Sequence, residues 1–322
     1  MQRRFLIVML WFFLDGVIKT QAGEFKFKPP VNLGPPVNTS FTERDPYITA
    51  DGQKLFFTSN YPDGDMDIWM STWSGTGWNP PVNLGANVNS GLIEWSPSVS
   101  PDNKKLYFIA FGRPGSQGGW DVWMSSWDSV FQQWGVAQNL GPVINTPNVD
   151  WCPEISRNGQ SLYYMSSGQG HPNGPALYVS RWNGSDWGVP EPFPLNINYT
   201  GTEERPSLTA DENTMYFVRF NYFPRIYVTE KNQMGGWSQP MQLDSSINSP
   251  YGSSDPCITP DGKNLYFSSG RPGGPNPPGN SDIWLAERII VPKVPSLRKE
   301  LLLLLGTVLA LTGIYWIKNR NP

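Results

Sequence analysis

Four carboxylates return at one place in a repeated phrase. Asn38, Asn89, Asn145, Asn198 and Asn248 recur along the chain, and five residues after the first four stand Glu43, Glu94, Asp150 and Glu203; the fifth place holds Ser253. Carboxylates crowded at one mouth raise one another's pKa, and a raised and an ordinary carboxyl together supply the acid and the base or nucleophile of glycoside hydrolysis. Glu94 and Glu203 are the pair that would serve in that role. The same residue types also suit a structural task, because Asn and acidic side chains bond the backbone N–H groups of loops. A catalytic pair breaks symmetry, whereas a group repeated four times serves the repeat. Loop capping is therefore the first expectation, with ligand contact and catalysis as its alternatives.

Other polar and aromatic residues gather near the same loops. Arg113, Arg219 and Arg271 would pair either with carboxylates of a ligand or with the acids of their own face. Trp95 and Trp151 each follow one of the acids and would offer either a platform for sugar stacking or packing between repeats. Asp63, Asp65 and Asp67 alternate as calcium ligands do, but the Gly and the bidentate Glu of an EF-type loop do not follow. Asp67 also repeats as Asp121 and Asp282, which favours a structural cap; calcium stays a lesser expectation, and no other cofactor is implied. With one histidine, His171, two-His zinc sites are excluded, and Cys152 and Cys257 form no Cys-x-x-Cys pair. A net charge of −3 without a basic stripe sets nucleic acid aside as a partner.

These residues must be positioned by short strands. The chain has 32 Gly, 32 Pro and 15 Trp among 322 residues, and its turn residues alternate with aromatic runs rather than with helix formers. One phrase recurs, from Asp45-Pro-Tyr-Ile-Thr-Ala-Asp-Gly to Asp255-Pro-Cys-Ile-Thr-Pro-Asp-Gly. Its prolines, Pro46, Pro97, Pro153, Pro206 and Pro256, lie 51, 56, 53 and 50 residues apart. Each copy holds an alternating run, an aromatic strand such as Leu55-Phe56-Phe57, a third strand such as Asp67-Ile68-Trp69, and a Trp-led strand such as Trp78 to Leu84. Four strands in about 50 residues is the size of a propeller blade. The fifth copy stops after its third strand, and Phe27-Lys-Pro-Pro-Val-Asn-Leu-Gly, which matches Trp78-Asn-Pro-Pro-Val-Asn-Leu-Gly, supplies the missing fourth from the other end. The expected fold is all-β, a five-bladed β-propeller of four-stranded blades closed by the N-terminal strand, with a C-terminal transmembrane helix. Closure removes the open edges that an unclosed array would present.

The repeated Pro-x-x-Ser/Thr-x-Asp-Gly-x-x-Leu-Tyr-Phe phrase, followed by Asp-Ile-Trp, resembles the WD-like propeller repeats of the TolB type over about residues 25–290. The resemblance implies a propeller of the bacterial cell envelope used for contact with protein or glycan, without implying one activity.

The two ends read as addresses. Residues 1–22 resemble a secretory signal, with Arg3 and Arg4, the apolar run Phe5 to Leu14, and Thr20-Gln21-Ala22 at the cleavage site. Residues 23–290 form the propeller, 291–300 a linker, and 301–317 an uncharged stretch long enough to span a hydrocarbon core, followed by a short basic tail at 318–322. Val294-Pro295, the Leu-rich stretch and Lys318 and Arg320 resemble a PEP-CTERM sorting signal, although its Glu-Pro is missing. Together these features predict an exported single-pass membrane protein with its propeller outside the cytoplasm. The expected partners are an envelope protein or glycan and the membrane itself, and binding is expected rather than catalysis.

Overall fold

The structure is a computed structural model, and it describes residues 25–62 and 64–290. The expected signal at 1–22, the linker at 291–300, the span at 301–317, the tail at 318–322 and Asp63 lie outside the described residues. One compact unit spans Phe25–Ile289. Among the described residues there is no helix, and so none long and apolar enough to cross a membrane.

Five antiparallel sheets make five blades. The first runs Glu43–Ile48, Lys54–Ser59, Asp67–Thr72 and Val82–Asn83, each strand beside the next. The second runs Glu94–Val99, Lys105–Phe111, Trp120–Asp128 and Gln138–Asn139, with Gln133–Trp134 as an added pairing at the end of its long third strand. The third and fourth blades repeat the plan from Asp150–Ile155 and Glu203–Leu208. The fifth takes Ser254–Ile258, Asn264–Ser269 and Asp282–Glu287 and is completed by Val31–Asn32, which pairs Val31 with Leu285 and Asn32 with Trp284. The inner strands touch in the cyclic order one to five and back to one, so the ring is closed.

Local chemistry explains the repetition. Between first and second strands, a Ser or Thr hydroxyl bonds an Asp or Asn two residues on: Thr49 to Asp51, Ser100 to Asp102, Ser156 to Asn158, Thr209 to Asp211, Thr259 to Asp261. These side chains bond backbone N–H groups that the tight turn leaves without strand partners. The aromatic second strands are the centres of the blades, and Leu55, Phe57, Phe108, Tyr164, Phe217 and Phe267 are wholly enclosed. Each such side chain contributes about 1.5–3 kcal/mol by leaving water. The expected long outer strands are reduced to two paired residues per blade, joined by an isolated bridge such as Trp73 to Trp78 and Trp182 to Trp187 in every blade but the second, where Gln133–Trp134 pairs as a short strand. Prolines at 80, 81, 190, 192 and 240 remove the N–H donors that a longer ladder would need.

The recurring asparagines hold blades together. Asn89 accepts from the Ile68 N–H at 2.9 Å and donates to the Ile68 carbonyl at 3.0 Å, so the loop leading into the second blade grips the third strand of the first. Asn145 grips Val122, Asn198 Leu177, Asn248 Ile226, and Asn38 Ile283 in the same way. All five side chains are buried. Replacing one with alanine leaves a buried N–H and a buried carbonyl without partners. Asn198→Ala is therefore expected to cost about 2–3 kcal/mol in urea unfolding. A shift below about 0.5 kcal/mol would show that water substitutes for the amide.

Candidate functional site

The five repeated prolines mark the axis of the ring. The residue before each, Asp45, Ser96, Cys152, Arg205 and Asp255, has a left-handed backbone with φ of 51°, 54°, 54°, 57° and 53°. At each place the ladder skips, for example between Arg44 and Tyr47 and between Glu204 and Ser207. Such a bulge bends the strand and re-aims one side chain, here into the small cavity, about 40 Å³, on the axis. A left-handed backbone at a non-glycine residue costs roughly 1–2 kcal/mol, so five copies persist only because the closed ring enforces them.

The axis holds a charge cluster. Arg205 bonds Asp45, pairs with Asp255, and reaches Glu204 at 2.9 Å. Arg44 lies 3.6 Å from Asp45 and 3.7 Å from Asp255, and Ser96 donates to Asp45 at 3.2 Å. Burial and the Asp255 charge hold the Asp45 carboxyl above its usual range. Burial also acts on Asp255, but Arg205 and Arg44 outweigh it and hold that carboxyl down. The far end of the axis is closed by Arg157, which lies over Tyr47, donates to its hydroxyl at 2.7 Å, and reaches the carbonyls of Ile48 and Ile258. Glu154 beside it is pushed by burial to about 7. The axis is thus filled by paired charges, with room for about a water molecule.

At the opposite end, on the face that carries the loops between second and third strands, the surface turns aromatic. Trp95 stacks on Trp120 with centroids 5.0 Å apart and meets Trp151 edge-on at 5.7 Å; Trp120 and Trp151 are 5.1 Å apart. Phe111, nearly half exposed, extends the group from Trp120 at 5.1 Å. Arg44 lies over the outer ring of the set, 5.3 Å from the Trp95 centroid. The indole N–H groups of Trp95 and Trp151 are enclosed and have no hydrogen-bond partner within the chain. Trp95, Trp120, Trp151 and Arg44 make one half-buried aromatic and cationic group at the mouth of the axis.

The structure brings together the two tryptophans singled out in the sequence but places the four acids elsewhere. Glu43, Glu94, Asp150 and Glu203 are fully buried inside their blades and do not line the axial cavity. Each accepts bonds from the loop before it: Glu43 from Thr39, Glu94 from Ser90, Asp150 from Thr146, Glu203 from Thr200. Burial raises Glu43 to about 7 and raises Glu94 and Asp150. Burial acts on Glu203 too, but the bonds from Thr200 and Arg219 outweigh it and hold it below its usual value. Arg113, Arg219 and Arg271 also turn inward, onto loop carbonyls, with Arg219 at 2.7 Å from Glu203 and Arg113 at 3.8 Å from Glu94.

Asp67 accepts from Asn83 at 2.7 Å, as Asp121 accepts from Asn139 and Asp282 from Asn32, while Asp65 is exposed. Among the described residues no group of three or more His, Cys, Asp or Glu side chains is placed to hold a metal ion. Cys152 and Cys257 are buried free thiols, and burial pushes both up in pKa. Sequence reasoning missed Arg44, Asp45, Trp120, Arg205 and Asp255. The signal for three of them was present, because they stand immediately before or beside the repeated prolines.

Several solved structures share the fold. An arabinanase of Bacillus subtilis is 15% identical with a TM-score of 0.52, covering 80% of this chain and 97% of its own. An α-L-arabinofuranosidase of Podospora anserina, in complex with cellotriose, is 10% identical with a TM-score of 0.51, covering 83% and 97%. TolB of Acinetobacter baumannii is 16% identical with a TM-score of 0.47, covering 76% of this chain; the chain spans about half of that TolB, 54% of its length. At these identities the likeness to the arabinanase and the arabinofuranosidase shows the propeller fold alone. No protein-family model and no curated protein matches the chain.

Proposed function

We propose that this chain is an exported, membrane-held propeller that binds a glycan at the mouth of its ring axis. The observation that carries this reading is the contact group of Trp95, Trp120 and Trp151 on one face, bordered by Arg44. The C–H face of a sugar ring is weakly positive and lies flat on an indole, whose face is negative. Charged groups beside the indoles fix orientation through hydroxyl or carboxylate contacts. Export and anchoring rest on the features of residues 1–22 and 301–317. The propeller's last residue, Ile289, accompanies Lys26 and Lys263 on the side of the first-to-second-strand turns, away from the tryptophans.

Hydrolysis through Glu94 and Glu203 has less support, since each is enclosed and bonded to its own loop. Their enclosure leaves no place for a water and a glycosidic bond between them.

The test uses the full chain in membranes, presented with an array of envelope oligosaccharides. Retention of a sugar by the membrane fraction is expected, with Trp151→Ala weakening it about 30-fold, the effect of losing a central aromatic contact worth about 2 kcal/mol. A variant that stays folded and binds equally, or an array with no retained sugar, would overturn the glycan reading. Sugar released rather than retained, and lost in Glu94→Gln, would favour the hydrolase.

A further inference from the structure

In four blades a side chain from the end of the second strand or the loop just after it turns back and donates to two consecutive carbonyls of the loop leading into the inner strand. Arg113 donates to Asn87 and Val88 at 3.1 and 2.7 Å, and Arg219 to Asn196 and Ile197 at 3.2 and 2.8 Å. Arg271 donates to Ser246 at 2.8 Å and to Ile247, and Gln169 does the same for Val143 and Ile144 at 3.1 and 3.5 Å. Each guanidinium also lies over the same two rings of its blade. Arg113 is 6.0 Å from Phe108 and 5.2 Å from Trp123; Arg219 is 5.5 Å from Phe217 and 5.0 Å from Tyr227; Arg271 is 4.9 Å from Phe267 and 5.3 Å from Trp284.

The first blade keeps the walls and lacks the cation. Phe57 and Trp69 are register partners, as Phe267 and Trp284 are in the fifth blade. Pro36 and Val37 stand before Asn38 as Asn87 and Val88 stand before Asn89. Two residues after Ser59 comes Tyr61, where the fifth blade has Arg271 two residues after Ser269. Among the described residues no hydrogen-bond donor reaches the Pro36 or Val37 carbonyl. A cavity of about 330 Å³ remains, lined by Pro36, Val37, Glu43, Phe57, Tyr61 and Trp69. Tyr61 stands 42% exposed at its edge, 5.5 Å from Trp69.

We infer that this cavity is a site for an arginine side chain presented by a second polypeptide, seated as Arg113, Arg219 and Arg271 seat themselves in their own blades. Two carbonyls, two ring faces and a buried carboxyl match the five in-plane donors and flat faces of a guanidinium. The whole side chain is the occupant, because in the three filled blades the guanidinium arrives on its own stem from a neighbouring backbone. Glu43, raised to about 7 by burial, becomes the ion partner that Glu203 already is for Arg219.

Isothermal titration of the full chain with an end-blocked Gly-Arg-Gly peptide tests this, alongside the matched citrulline peptide and guanidinium chloride at the same concentration. The arginine peptide should bind at least tenfold more tightly than either comparator. Tyr61→Arg, which supplies an internal cation, should abolish that binding while leaving the thermal melt intact, and Glu43→Gln should weaken it about tenfold. Equal binding of the citrulline peptide would overturn the assignment, as would undiminished binding by Tyr61→Arg. No binding of the arginine peptide, or binding of guanidinium as tight as the peptide's, would overturn it too.

Discussion

Arg205→Met is expected to lower the melting temperature at pH 7 by roughly 10 °C, the largest effect of any single change on the ring axis. Arg205 is buried and serves three acids, Asp45, Asp255 and Glu204. Deleting it leaves carboxylates enclosed without a counter-charge, which costs about 3–5 kcal/mol where one member of a buried pair is lost. Arg44 offsets only part of this, since its distances to Asp45 and Asp255 are 3.6 and 3.7 Å. The loss should shrink at pH 5, where the acids left unpaired take up protons. Adding Asp255→Asn to Arg205→Met should recover stability, because the pair is then removed from both sides. A melt unchanged at pH 7 would mean that the cluster is solvated enough to do without its arginine.

Stability should also fall as pH rises from 5 to 8. Burial holds Glu43 and Glu154 at about 7 in the folded protein, whereas a free glutamate ionises near ~4.3. Between those values the folded state keeps protons that the unfolded chain has released, so each unit of pH weakens folding until both acids have ionised. Each group accounts for on the order of 2 kcal/mol across that window. Asp255 acts in the opposite sense. Its carboxyl is held low by Arg205 and Arg44 against burial, so its contribution is complete above the ordinary aspartate range and is lost only in stronger acid. Stability should therefore peak near pH ~5. Glu154→Gln should flatten the decline toward pH 8, and a wild-type melt that rises or stays level from pH 5 to 8 would refute this account.

Much of the fold was legible in the chain. The five prolines at near-constant spacing, the aromatic triplets and the permuted Phe27-to-Gly34 phrase imply five blades and a ring closed by the N-terminal strand. Those features are local or periodic, and periodicity survives in a one-dimensional string. The outer strands were less legible, because only two residues of each pair where pattern alone suggests seven, and in four of the five blades proline interrupts the run.

The candidate site was legible only in part. Strand alternation tells that neighbours face opposite ways, but not which of the two faces the axis. Glu43 and its counterparts turn into the blade, and a bulge at the residue before each proline sends Asp45, Arg205 and Asp255 to the centre instead. The pairing of Arg205 with Asp45 joins residues 160 positions apart, and no local pattern encodes it. Trp120 joins Trp95 and Trp151 because the third strand of one blade rises beside the inner strand of the next. The empty cation seat of the first blade emerges only when five blades are compared in space, since Arg113, Arg219 and Arg271 reach the same place from different sequence offsets. The repeat, the strand order and the closure follow from composition and spacing alone. Which side chains share the axis, the mouth and the blade interiors depends instead on the bulges and on residues that closing the ring brings together.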